Sequence, residues 1–194
     1  KLNRIQTIMQ KLNQQPDICP YFSPEFKVIP QYIIMKEGEC MELNNRTTSF
    51  FIFILSGEIT ISFEQYTNRS VLENEMFFLP KNNCFKWKAV TQTVLILTGY
   101  NATIFPCTSV RARILYKIKA GVKFDCRGVV MKDEVKVVVN QMKHYLESGI
   151  NCHHMYILKH KELYLMFKHF YTYEEIIQIF YLILDSNPLF NERV

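Results

Sequence analysis

Histidine, the side chain best suited to proton transfer near neutrality and to metal ligation, does not occur in this 194-residue chain before His144. It then occurs at His144, His153, His154, His160 and His169. The triplet Cys152-His-His154 opens a segment of helical period. On a helix Cys152 shares a face with Tyr156, and His153 with Ile157, so no two ligands stand four residues apart. His153 and His160 share a face but lie two turns apart, too far to close on one ion from a single helix. These imidazoles read as surface or interface groups. Glu58, Glu64, Glu73 and Glu75 offer acid–base chemistry, yet they fall at turns or strand edges and are expected to face solvent. None of the six cysteines (Cys19, Cys40, Cys84, Cys107, Cys126, Cys152) carries a nucleophile signature or forms a CxxC pair. Neither a P-loop nor a G-x-G-x-x-G sequence is present. The inventory predicts no catalytic residue, no metal site and no cofactor.

The composition is that of a folded globular protein, 48% hydrophobic with 15 Phe and 11 Tyr. No apolar run approaches the roughly 18 residues of a spanning helix, so no membrane contact is predicted. The N-terminal KLNRIQTIMQKLNQQ is amphipathic, lacks a secretory apolar core and does not begin with Met, which predicts a processed or truncated chain. Scattered cysteines in a chain long enough to need no staples predict reduced thiols and a cytoplasmic protein. The net charge of +5 is concentrated in Arg111, Arg113, Lys117, Lys119, Lys123 and Arg127, against Asp125 alone. Nothing there organises the charges toward a nucleic-acid groove, so the strip reads as a solvated edge or loop.

Two periods divide the chain. Short apolar runs at 27–29, 32–35, 50–55, 58–63, 76–79, 85–89 and 94–98 read as strands. Glu58-Ile-Thr-Ile-Ser-Phe-Glu64 among them alternates cleanly. Turns are read at Ser56-Gly57, at Tyr66-Thr-Asn-Arg-Ser70 and at Lys81-Asn-Asn83. Such spacing predicts an antiparallel sandwich or barrel. After Val130 the period becomes helical. Asp133 is read as the N-cap of a helix that Gly149 stops, and a second helix starts at Asn151. Thr172-Tyr-Glu-Glu175 is a capping-box pattern opening a third helix that ends at Asn187-Pro188. The expected class is α+β, with a β module over 1–130 and a helical module over 131–194.

The stretch GECMELNNRTTSFFIFILSG (38–57) then acquires a meaning. Gly38, Asn44, Arg46, Phe50 and Gly57 fall at the spacings of the first cupin motif, with both glycines kept and all three metal ligands replaced. Asn74-Glu-Met-Phe-Phe-Leu-Pro80-Lys-Asn-Asn-Cys-Phe85 resembles the second motif. There Asn74 and Asn82 stand at the glycine positions and Phe85 at the histidine position. Asn, Arg and apolar side chains do not make a first shell for iron, manganese or zinc. The resemblance implies a metal-free, cupin-like jelly-roll barrel followed by a bundle of about three helices.

That arrangement is similar to the N-terminal half of AraC-type transcriptional regulators. The tract 152–176, with its Lys161-Glu-Leu-Tyr164 core, resembles one found in such regulators of Bacteroidales. The resemblance implies an effector-sensing and dimerisation domain rather than an enzyme. DNA contact would belong to a C-terminal helix-turn-helix half that this sequence does not contain. A small effector would meet Phe50, Phe85 and Trp87 inside the barrel, with Asn44 and Arg46 as polar anchors. Residues Tyr164, Ile179, Tyr181 and Leu182, apolar on more than one helical face, would pair two subunits into a homodimer. The alternative is a metal-dependent cupin enzyme acting on a small sugar or related metabolite. A cyclic-nucleotide sensor is disfavoured, because Gly57-Glu58 leads into a strand instead of the short helix of a phosphate cassette.

Overall fold

The computed structural model describes residues 30–45, 48–64, 66–100, 116, 121 and 125–185. Among them, eight strands build two antiparallel sheets. The strands are β1 (Gln31–Met35), β2 (Cys40–Asn45), β3 (Ser49–Ser56), β4 (Glu58–Phe63), β5 (Tyr66–Leu72), β6 (Glu75–Leu79), β7 (Asn83–Ala89) and β8 (Thr93–Tyr100). A short β9 (Val129–Val130) extends one edge. One sheet has the order β1-β8-β3-β6-β9 and the other β2-β7-β4-β5. Strands β1 to β8 alternate between the sheets in sequence order, except for the β4–β5 hairpin, and this is the wiring of a jelly roll. The sheets face one another without closing. Among the described residues the expected barrel is therefore an open sandwich, with β1 and β2 as edge strands at one side, joined by a tight turn. Alternation within a strand reports which face is buried but not whether the last strand pairs with the first.

Three helices follow, α1 (Asp133–Glu147), α2 (His153–Phe170) and α3 (Tyr173–Asp185). They pack on the outer face of the β1-β8-β3-β6-β9 sheet and share a core with it. Phe51, Phe53, Met76, Phe78 and Ile96 meet Val135, Met142, Tyr156, Leu163, Phe167 and Phe180. The other face of the same sheet, through Ile52, Ile54, Phe77, Leu79 and Leu95, closes on the second sheet. Burial on both faces explains why β3 is a continuous apolar run, SFFIFILS, whereas β4 and β7, each with a solvent face, alternate.

The helix ends follow their sequence signals closely. Gly149 closes α1 with paired bonds, Gly149 N–H to the Leu146 carbonyl at 3.1 Å and Ile150 N–H to the Tyr145 carbonyl at 2.9 Å. The capping box is present in both directions: Thr172 N–H donates to Glu175 Oε2 at 2.7 Å and Glu175 N–H to Thr172 Oγ1 at 3.3 Å. Asp133 is the first residue of α1 and not its cap. Lys132 takes the cap position without a side-chain bond, and Asp133 pairs with Lys136 at 3.0 Å.

Two strand assignments change. The 66–70 segment, read as a turn, is β5, an exposed edge strand with one core residue, Val71. Strand β2 went unread for a related reason, since only Leu43 on it is fully buried. The segment 27–29 and most of the basic strip lie outside the described residues. Of the strip, Arg127 pairs with Asp125 at 3.6 Å on the surface.

Candidate functional site

Between the edge strands β1 and β2 the described residues form a cleft. Its lining comes from five strands: Gln31 and Ile33 on β1, Met41, Glu42 and Leu43 on β2, Phe50 on β3, Trp87 on β7 and Leu97 on β8. The space is about 320 Å³ with its solvent mouth included, and its enclosed part holds only about one or two waters. The walls are apolar apart from Gln31 and Glu42. Glu42, the one charged residue among the described lining, is exposed and shares the outer face of β2 with Asn44, where its Oε1 accepts a bond from Cys84 Sγ at 3.1 Å. Trp87 is 2% exposed, and its indole Nε1–H is buried with no acceptor among the described residues. A buried donor left unpaired costs about 1–3 kcal/mol, so it is a feature to be explained.

The structure brings together Phe50 and Trp87 of the five ligand residues expected from sequence. Phe85 is fully buried deeper in the sandwich, its ring 4.7 Å from that of Phe63, so it is core. Asn44 stands on the solvent face of β2, opposite Cys84. The residues of β2 that point inward are Met41 and Leu43, and a shift of one residue along a strand exchanges its two faces. Asn44 therefore does not occupy the place of a first-motif ligand. Arg46 lies outside the described residues. Gln31, Ile33, Met41, Glu42, Leu43 and Leu97 were the lining residues that sequence reading missed. Parity along β2 and β8 was the available signal.

The turn positions of the two motifs keep their backbone. Gly38 and Gly57 have φ of 74° and 84°, while Asn74 and Asn82, at the glycine positions of the second motif, both have φ of 63°. Asparagine is the non-glycine residue best suited to that left-handed region. No group of three His, Cys, Asp or Glu among the described residues is placed to hold a metal. Met41, Leu43, Phe50, Phe85 and Trp87, the groups that face inward around the cleft, offer no carboxylate or imidazole. Purified protein is expected to carry iron, manganese and zinc far below one equivalent by plasma mass spectrometry. A stoichiometric metal that resists dialysis would contradict this.

A second cluster lies behind the cleft. The strands that line it turn alternate residues to the helices. Next to Phe50 on β3, Phe51 packs against Phe167 (ring centroids 5.9 Å apart) and Phe180 (6.2 Å). Next to Leu97 on β8, Thr98 Oγ1 shares a 2.7 Å hydrogen bond with His160 Nε2 on α2. His160 is 5% exposed and His153 is likewise buried, contrary to the expectation of surface imidazoles. Burial pushes the His160 pKa down to about 4, against the opposing pull of the Tyr156 carbonyl, and burial also lowers that of His153.

The residues expected to pair subunits divide. Ile179 is 3% exposed and belongs to the core between α3 and the sheet, because the sheet covers the α3 face that the sequence left without a partner. Tyr181 is half-buried against the same core. Tyr164 is half-buried beside Phe51, His160 and Phe180. The side chain of Leu182 lies outside the described residues.

No family model and no curated protein matches the sequence. Solved structures that match part of the chain include cupin-domain proteins. The Schizosaccharomyces pombe Cnp3 cupin domain is 16% identical over 43% of this chain and 59% of its own, with a TM-score of 0.38. A cupin superfamily protein of Desulfitobacterium hafniense is 16% identical over 41% and 72%, at 0.36. An RmlC-like cupin of Shewanella frigidimarina is 18% identical over 37% and 64%, at 0.34. The chain thus spans less than two thirds of the length of the S. pombe and Shewanella proteins. The described chain is a jelly-roll sandwich of two antiparallel sheets with three helices packed on one of them.

Proposed function

We propose that this chain is the effector-sensing and dimerisation domain of an AraC-type transcriptional regulator and not an enzyme. A small molecule binds in the cleft between β1 and β2, and the helices transmit its presence to a DNA-binding half attached to the domain. The observation that carries this reading is the shared sheet. Phe50 and Leu97 line the cleft on one side, and Phe51 and Thr98 grip α2 and α3 from the other. A shift of β3 or β8 caused by a ligand is felt directly by the helical layer, since close-packed interiors transmit displacement. Among the described residues lining the cleft there is no pair of carboxylates or imidazoles, which supports binding over chemistry.

Subunit pairing moves to α2 in this reading. Leu158 and Leu165, seven residues apart on one face, are 62% and 55% exposed, with Ile157 and Tyr164 half-buried beside them. Burying each leucine is worth about 1.5–3 kcal/mol, enough to set a micromolar monomer–dimer equilibrium. Sedimentation is expected to show a dimer at about 10 μM, in the micromolar range that such burial implies. The double variant Leu158→Glu, Leu165→Glu should be a folded monomer. A metabolite library scanned by thermal shift should contain compounds that raise the melting temperature. A wild type that stays monomeric, with no stabilising compound, would refute the proposal.

A further inference from the structure

Resting on the pairing of subunits through α2, we infer that the paired helices hold a multivalent oxyanion of the phosphate or pyrophosphate class between Lys161 and Lys168 of the two copies. The argument starts from the stripe that pairing covers. Leu158, Lys161, Leu165 and Lys168 recur at intervals of three and four along α2, and all four are exposed. Residues at that spacing lie on one face of a helix, so each leucine is followed on the same face by a cation.

These two lysines differ from the others of the helical layer. Lys132 pairs with Glu175 at 3.2 Å, Lys136 with Asp133 at 3.0 Å, Lys143 with Glu147 at 3.7 Å and Lys159 with Glu162 at 2.7 Å. Neither Lys161 nor Lys168 has an acid within ion-pair distance among the described residues. The sequence explains the difference, because no Asp or Glu stands three or four residues from either of them. Glu162, the one acid in α2, is already taken by Lys159.

A two-fold axis sets a second Lys161 and Lys168 against the first, whichever way the two helices run. The two positions are about 10 Å apart along one helix, and helices in contact lie about 8–10 Å apart. Four ammonium groups are thus gathered within about one Debye length at physiological salt, where screening is only partial. The leucines draw the copies together and the lysines oppose them. A multivalent anion lying among the four cations removes that opposition through charge-assisted bonds to groups that meet no acid of their own. Chloride, with one charge, makes no such bridge. The site is complete only in the dimer, and the anion regulates pairing.

Sedimentation velocity tests this, with the chain in sodium chloride and then at the same ionic strength with about millimolar pyrophosphate, which at that level acts as a ligand rather than as an excluded salt. Pyrophosphate is expected to tighten the dimer about tenfold, a change of about 1.4 kcal/mol. The double variant Lys161→Gln, Lys168→Gln should pair about as tightly in chloride as the wild type does in pyrophosphate, and should ignore the anion. Lys161→Arg with Lys168→Arg keeps the cations and should keep the response. The comparison of the two salts on the unaltered chain decides the matter even where a variant does not fold.

A wild-type dimer that pyrophosphate leaves unchanged overturns the inference, and pairing through α2 then stands without it. A glutamine variant that responds as strongly as the wild type also overturns it, since the anion then acts elsewhere. A chain that is monomeric with and without the anion removes the pairing itself, and the inference falls with it.

Discussion

Gly57→Ala is expected to destabilise the domain by about 3–4 kcal/mol, which for a chain of this length lowers the melting temperature by about 6–16 °C. Gly57 turns the chain from β3 into β4 with φ of 84°, a conformation that a side chain strains. Space is the larger problem. A Cβ built there would lie 2.4 Å from the Gln92 carbonyl oxygen, 2.7 Å from Thr93 Oγ1 and 2.9 Å from Thr93 Cα. Two of these atoms are backbone, so no rotamer change relieves the overlap. Thr93 is also committed, because its hydroxyl donates to the Glu58 carbonyl at 2.9 Å and accepts from Glu58 N–H at 3.2 Å. Gly38→Ala is the matched control. Its φ of 74° is similar, but nothing lies within 4 Å of the added carbon, so the cost should be only the backbone strain of about 1–2 kcal/mol. Urea titration of both variants checks the pair. Equal losses would show that crowding at the β3–β4 turn is not what keeps glycine at 57.

The same two glycines illustrate what the sequence conveyed. Motif spacing put Gly38, Gly57, Asn74 and Asn82 at glycine positions, and all four have left-handed backbone. Strands β1, β3, β4, β6, β7 and β8 were legible because each either alternates or is apolar throughout. Strand β5 was not. Its residues Thr67 to Ser70 are exposed, and a polar edge strand carries the composition of a turn. The hairpin that makes it a strand is a tertiary fact, since Ile59 faces Val71 across the ladder.

Side-chain direction was the weaker half of the reading. Trp87 and Phe50 were placed in the cleft from residue type, and both line it. Asn44 was placed by motif spacing, yet Leu43 points in and Asn44 out. On β2 the hydrophobic alternation Met41, Leu43 was the better guide, because burial of apolar surface fixes register more strongly than a motif that has lost its metal. Ile179 was misplaced for a different reason. A helix read alone shows how many apolar faces it has but not that a sheet with two apolar faces waits to cover one of them.

That sheet also governs the response to acid. Stability is expected to fall by about 3 kcal/mol as the pH drops from about 6.5 to about 4, and His160 is the cause. Its imidazole is enclosed by the helices and β8, and burial holds its pKa at about 4 against an ordinary value of 6.5. Between those values the unfolded chain takes up a proton that the folded chain refuses. The unfolded state binds more protons in this window, so stability rises with pH through it and is lost on acidification; below about pH 4 the contribution levels off. His153, also lowered by burial, acts with the same sign. Glu175, whose pKa is lowered by bonds from Thr172 and Lys132 despite partial burial, loses its contribution only below the ordinary carboxylate value of 4.5, leaving the upper part of the window to the histidines. His160→Gln keeps a partner for Thr98 and removes the titration, so its urea midpoint should change far less between pH 6.5 and 4.5 than that of the wild type. A wild-type midpoint that is flat across this range would mean that His160 takes up its proton without leaving the fold, with Thr98 and the Tyr156 carbonyl accommodating the imidazolium between sheet and helix.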